Sequence, residues 1–436
     1  MSIRVSRPTN IFSKIVCVFF IYLFFTVAIF ADVKIIRTVV DKNAYPWAKM
    51  ELLKDCDSNH KYEKQIFNEK SRRVSSVTKT GFQTETPDAN LVLIHYAPLW
   101  NKATHKTPIV LVHGAGDNAT RGFAHPWSLD LPESGVITKP GLMQYLGEKG
   151  YSVFAVTFAH PHGDNFYQAQ QLANVIERVK QVTGAKKVDL LCHSKGAMST
   201  RIYTSSLGKE YKKYSWLTPF RNDVRKILFV ASPLKGIDTA FRYYAYNFTV
   251  KQQAMGAPLG ARRLMWYGSY SDEEYHNLAF PGQFQMLHNW VKDGIPFTSQ
   301  SFTPDMNLSM NALYNGGITG LLVSDGLDKV AKEAGNVIEK LNEKGENPSI
   351  KCYILAGKKQ TIDTIKFGWI EIPVGEFADD SDGVLFLKSA TYKAGLTARG
   401  AVVEKVKVLN LTHIGLTMWP EALKFIEEVF SDRNIN

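Results

Sequence analysis

The residue best placed to do chemistry in this chain is a serine at position 194. It stands in "VDLLCHSKGAMSTR", residues 188–201, where a mostly apolar run leads into Cys192-His193-Ser194-Lys195-Gly196 and small residues follow. Two readings fit it. As a helix cap, Ser194 would accept a backbone N–H bond from the first helical turn. As a nucleophile, it would sit on a sharp turn between a strand and a helix, which lifts its hydroxyl to the end of a sheet. Gly196 suits the second reading, because it keeps such a turn free of side-chain clashes. Cys192 stands where a strict Gly-x-Ser-x-Gly pattern has its first glycine. A small side chain is sterically acceptable there.

A serine nucleophile needs donors for the negative charge that develops in acyl transfer. The N–H of the residue after the serine, Lys195, supplies one, and a loop after an earlier strand supplies the other. "VLVHGAGDN", residues 110–118, offers that loop: His113-Gly114 ends an apolar run and Ala115 carries an N–H. Such donors stabilise the transition state by about 3–4 kcal/mol each. The same loop lacks the Lys-Ser/Thr pair of a phosphate-binding loop.

The nucleophile also needs a base, and the base needs an orienting carboxylate; in chain order both follow the serine. His276 and His288 follow Ser194 but fall in an apparent insertion, whereas His413 comes directly after the last strand-like run, in "LNLTHIGLT". The carboxylate is expected after the run "CYILAG". "FADDSDGVLFLKSA" lies there, with Asp379, Asp380 and Asp382. Asp325, in "SDGLD", is a rival by local motif but precedes that run. Asp382 is preferred because Gly383 allows a tight turn and "VLFL" leads back into packed structure. His113, His160 and His162 are expected to have minor polar roles at a pocket rim. "HPHGDN" reads as a strand-end loop rather than a ligand set.

These residues must be carried by elements. From about residue 90, strand-length apolar runs alternate with helical segments: "LVLIHY", "PIVLVHG", "YSVFAVTF", "VDLL", "KILFVAS", "CYILAG" and "KVKVLNL". Short apolar runs rich in β-branched residues suit strands buried on both faces. Leu172, Val175, Ile176, Val179 and Val182 mark one face of a helix that Gly184 should stop. The alternation predicts an α/β fold: a mostly parallel sheet with helices on both faces. Ligands in such sheets bind outside the carboxyl ends of the strands. His113, Ser194, Ser232 and Gly357 all fall at predicted ends of that kind.

Residues 237–350 interrupt the pattern. They carry Tyr243, Tyr244, Tyr246, Phe248, Trp266, Tyr267 and Tyr270, followed by "GLDKVAKEAGNVIEKLNEKG", which reads as one amphipathic helix. The segment is either an ordinary helical layer or a cap that lines an apolar substrate pocket. Residues 32–90 read as an N-terminal extension packed on a main domain spanning 91–430. Arg4, Arg7 and Lys14 precede an unbroken apolar run at 15–31, as in a secretory signal cleaved after Ala31. The alternative is an uncleaved anchor, since the run is near the lower limit for spanning a bilayer.

The chain has 436 residues, 45% of them hydrophobic, which is enough for a large core. A formal charge of +11 is spread along the chain with no basic-aromatic stripe or nucleic-acid motif. It permits weak, transient attraction to an anionic membrane surface. Once Cys17 leaves with the signal, Cys56, Cys192 and Cys352 form neither a disulfide framework nor a metal spacing.

The chain resembles α/β-hydrolase lipases, especially the bacterial class 2 lipases. The resemblance is carried by "VHGAG" at 112, "CHSKG" at 192, "ASPLKG" at 231, "SDGVLFLKSA" at 381 and "HIGL" at 413, over roughly residues 105–236 and 350–425. It implies an α/β-hydrolase fold and a Ser194–Asp382–His413 triad with Ala115 and Lys195 as oxyanion donors. It also implies a lipid or other carboxylic ester as substrate, without cofactor or metal. The larger bacterial lipases carry a calcium-binding Asp soon after the histidine, whereas Ile414-Gly415-Leu416-Thr417 follow here. A polyhydroxyalkanoate depolymerase with the same triad and a non-catalytic binding protein on this scaffold are the alternatives.

Overall fold

The computed structural model describes residues 33–40, 47–65, 76–124, 141–242, 281–296, 311–312, 314–319, 322–367 and 369–431. The expected signal at 1–31, the aromatic residues between 243 and 270, and His276 lie outside them.

The described residues form thirteen strands: β1 (Val33–Val40), β2 (Lys49–Asp55), β3 (Leu91–Tyr96), β4 (Ile109–Val112), β5 (Val153–Phe158), β6 (Val188–His193), β7 (Val224–Val230), β8 (Gly317–Thr319), β9 (Leu322–Ser324), β10 (Lys351–Gly357), β11 (Thr361–Phe367), β12 (Ile370–Gly375) and β13 (Val402–Leu409). Nine make one sheet in the order β1-β2-β3-β5-β4-β6-β7-β10-β13. From β5 to β13 every neighbouring pair is parallel, and β1, β2 and β3 are added antiparallel. This is an α/β-hydrolase fold.

The period of two along each strand explains how the sheet is covered. Val110 and Val112 of β4 pack in one buried cluster, and Ile109 and Leu111 pack in another. The first cluster is closed by helices α1 (Asn165–Thr183) and α2 (Gly196–Ser205), the second by Leu142–Glu148 and by the C-terminal helix Pro420–Phe430. Each large apolar side chain so buried contributes about 1.5–3 kcal/mol. Helix α1 ends as expected, with Gly184 at φ 72 as its cap.

Strands β1 and β2, from the expected N-terminal extension, continue the main sheet, with β2 hydrogen-bonded to β3. Glu51 of β2 is buried, and its carboxylate takes two bonds from Arg178 of α1 and one from Tyr96 of β3. The last strand, β13, is not buried on both faces; it is a sheet edge, with Val402 and Val408 exposed and Lys405 and Lys407 along it. Edge strands with lysines resist pairing with other chains. Residues 326–345 form two helices, Leu327–Glu333 and Val337–Lys344. Gly335 at φ 97 and Asn336 at φ 49 break the path, the left-handed stop that ends many helices.

The strand order reverses direction between β4 and β6: the chain leaves β4 outward to β5, then crosses back to β6 and continues to β7. The connections diverge there, which opens a crevice at the carboxyl ends of those two strands. Both Gly114 and Ser194 stand at that crevice.

Candidate active site

Ser194 has φ 53, the left-handed region. A helix-capping serine adopts an extended conformation instead, so the cap reading fails. The position that precedes the helix is Lys195, which makes no side-chain cap. Holding a non-glycine residue left-handed costs about 1–2 kcal/mol. The elbow is held by bonds on both sides of the serine: Ser194 N–H donates to Val230 of β7 (3.0 Å), and Ala197 N–H donates back to Ser194 (3.0 Å). Gly196 is required by contact, since a Cβ there would meet the carbonyl oxygens of Val112 and His113 at 2.6 and 2.7 Å. Cys192 fits in place of the usual glycine because its side chain is wholly buried in the sheet.

The expected oxyanion loop lies against this elbow. A Cβ on Gly114 would stand 2.9 Å from Ser194 Cβ. His113 Nδ1 donates to the Gly114 carbonyl (2.8 Å), and its Nε2 accepts from Phe158 N–H (3.2 Å). Burial pushes the His113 pKa down to about 4, so the ring is neutral and keeps this tautomer. In a trans peptide the C=O and the next N–H point opposite ways. Fixing Gly114 C=O therefore aims Ala115 N–H away from His113. Among the described residues, neither Ala115 N–H nor Lys195 N–H has a hydrogen-bond partner. Lys195 also opens helix α2, whose N-terminal dipole favours negative charge nearby.

His413 and Asp382 meet. His413 Nδ1 is 2.8 Å from Asp382 Oδ2, and His413 N–H donates to the Asp382 carbonyl (2.9 Å). The other carboxylate oxygen, Oδ1, accepts the N–H groups of Val384 and Leu385, both at 3.0 Å. Gly383 at φ 90 makes the tight turn that brings those N–H groups back. Gly357 ends β10 without a side chain, because a Cβ there would meet Leu411 O at 2.3 Å and Asp382 Cβ at 3.0 Å. That close approach lets the acid loop and the histidine loop share one strand end. Among the described residues Ser194 Oγ has no hydrogen-bond partner, His413 included. Such contacts are commonly long before substrate binds.

The rival residues stand elsewhere. Asp325 pairs with Lys329 (2.8 Å), Asp379 pairs with Lys388 (2.6 Å), and Asp380 is exposed. His288 pairs with Asp293 (2.7 Å). His113, His160 and His162 are all buried. The carbonyl of His160 accepts from Gln168, and Asp164 caps helix α1 by accepting from Phe166 N–H, which makes "HPHGDN" a packed strand-end loop.

Two side chains carry more than their sequence suggests. His193, adjacent to the serine, is buried and bonds His413 O through Nε2 (3.1 Å). The Lys195 side chain runs inward rather than to solvent, and its ammonium donates to Gln168 Oε1 (2.5 Å). A polar residue either side of Ser194 gives no sign in sequence of which way it points. Among the described residues no group of three or more His, Cys, Asp or Glu could hold a metal ion.

Residues 106–249 match the family Lipase (class 2). Solved structures similar to the chain include the mature form of a lipase from Bacillus licheniformis, at 14% identity over 75% of this chain and 94% of that one with a TM-score of 0.35. Another is the lin2722 gene product of Listeria innocua, at 11% identity over 75% and 95% with a TM-score of 0.35. The matched segment begins before β4 and contains both the Gly114 loop and the Ser194 elbow. Over residues 106–249, about one third of its length, the chain resembles the class 2 lipases, and its central sheet has the α/β-hydrolase strand order.

Proposed function

We propose that the protein is an exported serine hydrolase that cleaves lipid esters through Ser194, His413 and Asp382. The observation that carries this reading is the 2.8 Å contact between His413 and Asp382, at the same sheet end as the left-handed Ser194. Ser194 Oγ attacks the ester carbonyl carbon while His413 Nε2 takes the hydroxyl proton. The oxyanion of the tetrahedral intermediate is held by Ala115 and Lys195 N–H groups. As it collapses, the carbon–oxygen bond to the alcohol breaks, and His413 returns the proton to the departing alkoxide. Asp382 holds the imidazole in the tautomer with Nδ1 protonated and stabilises its charged form. Water, deprotonated by His413, then attacks the acyl-serine. The carboxylic acid leaves and Ser194 regains its proton.

The class 2 lipase match and the aromatic residues between 243 and 270 favour a lipid acyl chain. The basic start and the apolar run at 15–31 favour export. Ser194→Ala tests the chemistry: it should fold, and lose hydrolysis of a soluble p-nitrophenyl ester by about 10⁴–10⁶-fold. Substantial turnover by that variant would end the serine-nucleophile reading.

A further inference from the structure

We propose that His193 is a positioning residue that sets where His413 stands relative to Ser194. The inference rests on the Ser194–His413 reading above and deepens it.

His413 is held at three points. Two of them, the N–H bond to Asp382 O (2.9 Å) and the Nδ1 contact with Asp382 Oδ2 (2.8 Å), go to one residue. They fix the imidazole relative to the acid loop, but not relative to the nucleophile. The third is the His413 carbonyl, which lies 3.1 Å from Nε2 of His193. His193 directly precedes Ser194 in the chain, so this bond ties the base's backbone to the nucleophile's own turn.

The topology makes such a tie necessary. Ser194 follows β6 and His413 follows β13, and β7 and β10 stand between those strands in the sheet. The loop after β13 must reach back across two strand ends. A closing contact removes the slack in that span.

His193 is built for the task. It is buried, and its ring lies 5.0 Å from that of His413, centroid to centroid. A Cβ on Gly114 would stand 3.3 Å from His193 Nδ1, so the oxyanion loop walls off the ring's other nitrogen. Burial, then the neighbouring His413, push the His193 pKa down to about 4. The ring is therefore neutral and carries one proton. Because a carbonyl can only accept, that proton belongs on Nε2. One side chain thus lies beside Gly114 of the proposed oxyanion loop and bonds the backbone of the base.

The test uses the full chain and a soluble short p-nitrophenyl ester, with competent sites counted by end-point labelling with a fluorophosphonate. His193→Leu removes the donor and His193→Gln keeps an N–H at a similar reach. Leu should lower kcat per labelled site by about 10²-fold, the cost of an ångström-scale misplacement. KM should stay within about twofold, because uniform binding is untouched. Gln should recover most of the lost kcat. A merely space-filling role would change the number of competent sites or the melting temperature, not kcat per site. Unchanged kcat per site in Leu, or Gln as impaired as Leu, would overturn the inference. Should neither variant fold, the wild-type protein still decides: ¹⁵N NMR of histidine should find His193 as the neutral Nε2–H tautomer, and an Nδ1–H tautomer sinks the proposal. His413→Ala separates the two readings. If that variant keeps activity, the assignment of the base fails; if it is dead while His193→Leu is unimpaired, only the positioning role fails.

Discussion

Asp382 and Asp380 lie two residues apart in the same acidic loop, yet their surroundings could hardly differ more. Asp382 is buried and accepts two backbone N–H groups on one oxygen and contacts His413 with the other. Asp380 is exposed, and its backbone carbonyl merely accepts Leu387 N–H (2.8 Å). An orienting carboxylate works by fixing a tautomer, which an amide in its place reverses. Asp382→Asn should therefore keep the fold and cut kcat by about 10⁴-fold. Asp380→Asn should leave turnover within about twofold, as surface changes away from such features do. Both variants assayed on one soluble ester settle the assignment. A crippled Asp380→Asn beside an active Asp382→Asn would move the acid by two residues.

At the scale of elements, the site depends on how closely helix α2 packs against the end of β4. Gly196 is the point of contact, and the atoms it faces are backbone carbonyls that cannot swing aside. Gly196→Ala must lift the helix, and with it the Lys195 N–H. A cost of roughly 1–3 kcal/mol is expected from such overpacking, together with a loss of kcat. Gly184, the cap of helix α1, provides the control. Its φ is 72, but nothing lies within 4 Å of an added Cβ. Gly184→Ala should cost about 1–2 kcal/mol of backbone strain alone and leave kcat unchanged. Denaturant midpoints and initial rates on the two variants check this contrast. Equal rates in both would mean that the elbow tolerates displacement.

At the scale of the whole molecule, the neighbourhood of Ser194 depends on buried charges. Arg201 of α2 is fully buried; it pairs with Glu346 (3.1 Å) and donates to the carbonyls of Leu234, Leu341 and Gly395, joining the elbow helix to the segments around it. Among the described residues Lys195 has no such ion pair, and burial pushes its pKa down to about 7, with Asp164 opposing the shift. An unfolded lysine titrates near pH 10.4. Between pH 7 and that value the unfolded chain holds a proton that the folded chain has released. Unfolding free energy from this group therefore rises with pH through that window. The penalty is full below pH 7, where both states are charged, and absent once both are neutral. Urea unfolding at pH 7, 8 and 9 should show the stability of wild type relative to Lys195→Met increasing with pH. A flat difference would mean that Lys195 titrates as an ordinary lysine in the fold.

The sequence by itself determined the order of parts. Seven strand-length runs, the serine between Cys192 and Gly196, and the histidine after the last run follow from local pattern, because apolar period and turn chemistry act over a few residues. The tight turn after Asp382 was also legible, since Gly383 is a local turn signal. Only the tertiary structure decided the rest. That β1 and β2 belong to the sheet, and that β13 is its edge, depends on pairing between distant segments. Whether Ser194 caps a helix or stands on an elbow turned on a single backbone angle, which Gly196, β4 and β7 impose together. The directions of His193 and Lys195 were invisible because both flank Ser194 as polar residues, and sequence does not record which way a side chain is forced when a turn is packed from both sides.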